Sequence, residues 1–184
     1  LYPMGKTLVL AEKPSVGREI ARVLGCKRGG AGFLSGSQYI VTWALGHLIE
    51  LCEPEHYGNQ YKTWSMETLP ILPDKMELKV IPETAKQYAV VKKCLHDPEV
   101  SSLVIATDAG REGELVARWI LDKAGFRKPI KRLWISSQTD KAIKEGFAHL
   151  RDGRDYVPLY QSAVCRAQAD WMVGLNVTRA LTCR

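Results

Sequence analysis

Two short acidic groups, each flanked by a cation, are the residues of this sequence best suited to chemistry. Glu12 and Lys13 stand together in AEKPS, and Asp108, Arg111, Glu112 and Glu114 share DAGREGE. Carboxylates are the hard oxygen ligands that Mg²⁺ takes, and one or two of them with retained waters and a phosphate make a magnesium site. Lys13, Arg111 and Arg18 put positive charge beside those acids. An acidic metal site rimmed by cations suits a phosphodiester: the metal holds one oxygen while a lysine or arginine neutralises charge that grows in the transition state. A plainer account of the same residues stays open. Glu112 and Glu114 also suit the positive end of a helix, and Arg111 can pair with either within a turn.

Neighbouring motifs narrow the chemistry. Gly110 and Gly113 permit a tight strand-to-helix turn, but GREG lacks the spacing and terminal lysine of a G-x-x-x-x-G-K-[ST] loop, so ATP use has no support. The run GCKRGGAGFLSG follows a helical pattern rather than a strand, fails the dinucleotide fingerprint and reads as a flexible basic loop. His47 in ALGHL suits a ligand, a phosphate contact or a structural turn. Tyr57, Tyr61 and Trp64 offer faces to stacking bases or to the protein's own packing. In CRAQADWMVGLNVTRALTCR, Arg166, Asp170 and Gly174 recur at helical spacing as one polar stripe, and Asn176, Thr178 and Arg179 add phosphate-capable donors. Such a stripe serves equally as an interdomain surface.

Hydrophobic periodicity supplies the elements that must position these groups. Residues 7–11 read as a strand closed by Pro14, followed by a helix over 15–24 that Ser15 caps. A strand is expected over 38–44, a long surface excursion over 52–82 ending in a strand at 77–80, and a helix over 84–95. A β-branched strand over 102–107 leads into a helix over 112–124 that Gly125 ends. A strand at 131–135, capping-box spacing in Ser137-Gln138-Thr139-Asp140, a helix over 140–150 and a turn at 151–155 follow. One or two helices then fill 156–182. This alternation predicts a mostly parallel, three-layer α/β unit up to about residue 150. Parallel sheets hold ligands beyond the carboxyl ends of their strands, where Glu12 and Asp108 both fall.

Composition excludes several classes. The 184 residues are 46% hydrophobic, enough for one sizeable core and too apolar for a disordered tail. Five widely spaced cysteines without a C-x-x-C pair exclude a disulfide-stapled miniprotein and a zinc ribbon, and fit a reducing compartment. No apolar run of about eighteen residues and no secretory leader is present, so no membrane association is expected. Met4 reads as a natural start, with Leu1 to Pro3 as vector or processing residues. A net charge of +6 permits a nucleic-acid partner without establishing one.

Four blocks, AEKPSVGREIA, ATDAGREGELVAR, RLWISSQTDKAIKEGF and CRAQADWMVGLNVTRALT, together resemble the N-terminal part of bacterial type IA DNA topoisomerases, in particular the topoisomerase III group. The likeness runs along nearly the whole chain. It implies a Toprim-like fold over residues 4–152, a mostly parallel α/β sheet flanked by helices. Residues 153–184 would be the helical start of a domain that lines a single-stranded DNA groove. It further implies Glu12 as general acid or base in strand cleavage and rejoining, Lys13 at the scissile phosphate, and Mg²⁺ held by Glu12, Asp108 and Glu112. DNA or phosphate contacts are implied for Lys13, His47, Arg111, Arg166, Asp170, Asn176, Thr178 and Arg179. Gly110 stands where the family's D-x-D-x-E motif usually has its second aspartate, a variant of some Firmicutes-type members, and leaves one carboxylate fewer for metal.

The family attacks DNA with a tyrosine that forms a 5′-phosphotyrosine link in a later domain, and no tyrosine of this sequence sits in that motif. The chain is therefore expected to be a piece of a cytoplasmic, nucleoid-associated, monomeric enzyme that passes single strands without ATP, and to be inactive in cleavage by itself. The rival readings are a stand-alone Toprim nuclease or primase-like protein, against which the DWMVGLNVTR block argues, and a noncatalytic DNA-binding module.

Overall fold

The fold is described from a computed structural model over residues 5–184; Leu1 to Met4, and with them the expected start and Tyr2, lie outside the described residues. The apolar run Lys6–Ala11 forms β1, and α1 (Pro14–Val23) follows at once. Pro14 opens this helix rather than closing the strand. Its fixed φ suits the first helical position, and Lys13 is the N-cap, so Ser15 does not cap. The glycine-rich segment expected as a loop is a β-hairpin, β2 (Arg28–Gly30) and β3 (Phe33–Ser35), whose turn uses Gly32 at φ +92°. Next come β4 (Tyr39–Trp43) and the short β5 (Ile49–Leu51), which the sequence did not announce. The excursion carries three short 3₁₀ turns before β6 (Leu78–Val80).

The second half follows expectation more closely. Helix α2 (Ala85–Leu95) leads to β7 (Val100–Ala106), and α3 (Arg111–Ala124) ends on Gly125 at φ +70°. Strand β8 (Ile130–Arg132) stops earlier than its apolar flank suggested. Helix α4 (Asp140–Ala148) is capped by Thr139, whose hydroxyl accepts from the Ala142 N–H at 3.2 Å; Ser137 instead holds the loop before it. A two-residue edge strand β9 (Arg151–Asp152) precedes one continuous 26-residue helix, α5 (Val157–Thr182).

The main sheet runs β2-β3-β4-β1-β7-β8-β9, with β5 and β6 as a separate antiparallel pair. Its four central strands are mutually parallel, and antiparallel strands close both edges. Alternation along β1 divides the core: Leu8 and Leu10 face α2 and α3, whereas Val9 and Ala11 face α1 and α4. All four are fully buried, as a parallel strand covered on both faces requires. The first half of α5 belongs to the α3 side of this core through Tyr160, Ala163, Val164 and Ala167.

Candidate functional site

Strand order brings the two acidic groups together. Chain direction carries β1 outward to β4 on one side and β7 outward to β8 on the other, while β1 and β7 are neighbours with Ala11 opposite Ala106. A crevice opens at the carboxyl ends of such a strand pair, where parallel α/β sheets place their ligands. Glu12 and Asp108 leave the sheet there. One Glu12 carboxylate oxygen, Oε1, is buried with no hydrogen-bond partner among the described residues. Burial pushes the Glu12 pKa above its ordinary value, the Asp108 carboxylate adds to the shift, and the Lys13 charge works against it. Two adjacent oxygen donors, one of them orphaned, fit a hard divalent cation, which would satisfy the bare oxygen and relieve the repulsion.

A buried ion network holds the Asp108 backbone. Arg132 is completely buried and donates to the main-chain oxygens of Thr107 at 2.6 Å and Asp108 at 2.7 Å. Its Nε donates to Glu114 at 2.6 Å, and the other Glu114 oxygen accepts from Arg118 at 2.6 Å. Burial lowers the Arg132 pKa from its ordinary value, and the Glu114 carboxylate opposes that shift. Thr107 donates its hydroxyl proton to the Gly113 carbonyl at 2.7 Å, fixing the first turn of α3 against the strand end. A side chain at Gly113 would strike the Asp108 carbonyl, so this close approach requires glycine. The sequence offers Glu114 as part of an acidic metal-site group or of a charge pair at the start of a helix, and does not single out Arg132. The only signal was a charged residue between strand-forming neighbours.

On the α3 face the crevice widens into a groove of about 1120 Å³ walled by the turn before α3, by β5 and by α5. His47, Asp108, Arg111, Glu112, Arg166 and Asp170 all line it. His47 Nε2 and Glu112 Oε1 lie 2.7 Å apart, which turns Glu112 to the histidine. Among the described residues no three His, Cys, Asp or Glu side chains converge as a metal cluster, so Glu12 and Asp108 are the assembled donor pair. Arg111 is exposed and pairs with neither Glu112 nor Glu114, leaving its guanidinium toward the groove. Arg166 and Asp170 face each other at 3.9 Å on the exposed side of α5.

Two groups behave differently from expectation. Arg179 is only 2% exposed, donates to the Tyr61 carbonyl at 2.7 Å and lies against the Trp64 ring, so it is spent inside the protein rather than offered to a phosphate. Asn176 accepts from the Ile71 N–H at 2.6 Å and donates to the Ile71 carbonyl at 3.0 Å, pinning the excursion to α5. Tyr57 takes the second of the two roles left open to it and packs edge-on against Trp171. Thr178 remains exposed, while Lys13 sits at the N-cap of α1 beside Glu12. No helix among the described residues is long and apolar enough to cross a membrane.

Comparison with known proteins gives a match to the Toprim domain family over residues 7–138. Two curated proteins, both named DNA topoisomerase 3, are similar: those of Bacillus subtilis (strain 168) and Shouchella clausii (strain KSM-K16). Each is 64% identical over 179 residues, or 97% of this chain and 25% of the relative. The chain thus spans about a quarter of the length of these relatives. Among solved structures, full-length topoisomerase I from Thermotoga maritima aligns with 79% of this chain and 21% of its own, at 21% identity and a TM-score of 0.48.

Proposed function

The chain belongs to the Toprim domain family, and from that premise we propose that it is the metal- and phosphate-binding part of a type IA DNA topoisomerase. The whole enzyme would cut one DNA strand, hold its 5′ end on a tyrosine outside this chain, pass another strand and reseal. The observation that carries this reading is the buried, partnerless Glu12 Oε1 beside Asp108 at the carboxyl ends of β1 and β7. The 64% identity to proteins named DNA topoisomerase 3, extending through α5, favours this enzyme over a small Toprim nuclease.

Glu12 and Asp108 would hold Mg²⁺, with Glu112 joining when it leaves His47. When bound, the metal polarises a phosphodiester and neutralises charge on its oxygens. Lys13 and Arg111 supply further positive charge at the same crevice, and His47, Arg166, Asp170 and Thr178 border the path of a single strand. Asn176 and Arg179 act at one remove, by holding the excursion that forms the end of that path. Glu12, whose pKa burial and the Asp108 carboxylate raise above the ordinary carboxylate value, is the group here suited to hold a proton and exchange it with a sugar oxygen. We place the domain boundary near residue 152, the protein in the bacterial cytoplasm, and the chain as a monomer.

Mn²⁺ binding followed by electron paramagnetic resonance tests the reading. Wild-type protein should bind one Mn²⁺ competitively with Mg²⁺, and Glu12→Gln and Asp108→Asn should each weaken binding at least tenfold while circular dichroism stays unchanged. The 184-residue protein should leave supercoiled plasmid unrelaxed. Unaltered Mn²⁺ affinity in both variants, or relaxation by this chain, would overturn it.

A further inference from the structure

A second cavity, on the opposite face of the sheet, has no role in the groove just described. It is a partly open cleft of about 340 Å³ between α1 and α4 at the carboxyl ends of β7 and β8. That is roughly ten times the space of one water and within the size range of small-ligand sites. Val16 and Ile20 form one wall, and Leu133, Ile135 and Ile143 form the other. Ser136 and Gln138 stand at its edge, and among the described residues neither side chain has a hydrogen-bond partner. Arg22 reaches from α1 to Asp140 at the start of α4 at 2.5 Å and also pairs with Glu19, so the two helices are clamped across the cavity rather than collapsed into it. Asp108 and Ala109 border both this cavity and the groove.

We propose that the cavity between α1 and α4 receives one nucleobase of the DNA strand whose phosphate lies at Glu12 and Asp108, a claim that rests on the function proposed above. Two apolar walls suit the faces of a flat heteroaromatic ring, and the free Ser136 hydroxyl and Gln138 amide supply both donor and acceptor for its polar edge. Position adds the remaining argument. A nucleotide held by its phosphate at Asp108 must place its base next to that residue, and the shared Asp108–Ala109 rim leads the base either toward the wider groove or into this narrower cleft. The narrower cleft, walled on two sides, removes more of the ring from water than the wider groove does, so the base gains more there.

The test uses the 184-residue protein with ¹³C-labelled isoleucine methyls and ¹⁵N amides, in Mg²⁺. 2′-Deoxyadenosine 5′-monophosphate should shift the Ile20, Ile135 and Ile143 methyls together with the Asp108 and Ala109 amides. 2-Deoxyribose 5-phosphate should shift the amides alone. Val16→Trp, which fills the cavity from the half-buried first turn of α1, should abolish the methyl response to the nucleotide and preserve the amide response. Gln138→Ala, on the exposed loop, should weaken methyl-detected binding roughly tenfold. Amide shifts with both probes and no methyl shifts would overturn the base site and leave the metal and phosphate reading standing. No response of either kind to either probe would overturn both.

Discussion

Arg132 and Asp108 are 24 residues apart in sequence, yet the Arg132 guanidinium donates to the Asp108 main-chain oxygen at 2.7 Å from a position with no solvent exposure. The contact is to the backbone, so Arg132 leaves the Asp108 carboxylate free for a ligand while fixing the peptide that carries it. Glu114 balances the Arg132 charge, and Arg118, which also donates to the Gly153 carbonyl at 2.5 Å, completes the triad.

Glu114→Ala should therefore lose about 3–5 kcal/mol of stability, because two arginines at the base of α3 would lose their shared counter-charge. Urea denaturation measures the loss. Glu114→Gln, which keeps two polar contacts without the charge, should lose less. A Glu114→Ala protein as stable as the wild type would show that the network carries no net weight.

The Glu12 shift has a definite sign. Its folded pKa lies above the ordinary 4.5, so the folded chain binds this proton more tightly than the unfolded chain does. Its favourable contribution is complete below that ordinary value and is lost as pH rises through the folded one. In metal-free buffer Glu12→Gln should raise the melting temperature at pH 7 and leave it unchanged at pH 4. Adding Mg²⁺ should stabilise the wild type, by about 2.7 kcal/mol at one hundred times its dissociation constant, and stabilise Glu12→Gln by about 1.4 kcal/mol or less at the same concentration. Differential scanning fluorimetry across pH 4–8 reads both effects.

Two glycines of one motif should respond oppositely. Gly113→Ala drives a methyl group into the Asp108 carbonyl and should cost roughly 1–3 kcal/mol. Gly110 has extended backbone with open space around it, so Gly110→Asp should fold normally. As the N-cap of α3 the new aspartate should add only a few tenths of a kcal/mol over glycine, and as a third carboxylate it should tighten Mn²⁺ binding. Calorimetric titration with Mn²⁺ distinguishes a tightened site from a merely stabler helix.

Asn176→Ala should free the excursion. Losing the paired bonds to Ile71 leaves a half-buried N–H and carbonyl without partners, a cost of about 1–3 kcal/mol. Limited trypsin digestion should then cut at Lys62 or Lys75 well before the sheet, whereas the wild type should resist.

Much of this site was legible because its signals are local. The strand end at Ala11, the glycine stop at Gly125 and the acids that follow each strand all follow from runs of neighbouring residues. What escaped depends on distant partners. Arg132 reads as one more basic residue until Glu114 is brought beneath it, and Arg179 reads as a phosphate donor until the Tyr61 carbonyl and Trp64 occupy it. The β2–β3 hairpin was hidden for another reason. Its glycines weaken the alternation that announces a strand, and its pairing is supplied by β4 at the sheet edge.

Helix α5 behaves mechanically as a strut. Its 26 residues extend about 39 Å, its first half is seated on α3, and its second half is bolted through Asn176 to Ile71. A rod fixed at two separated points cannot pivot about either one. The groove wall that carries Arg166 and Asp170 is therefore tied at both ends, so its spacing from Asp108 is set by the fold rather than by what occupies the groove.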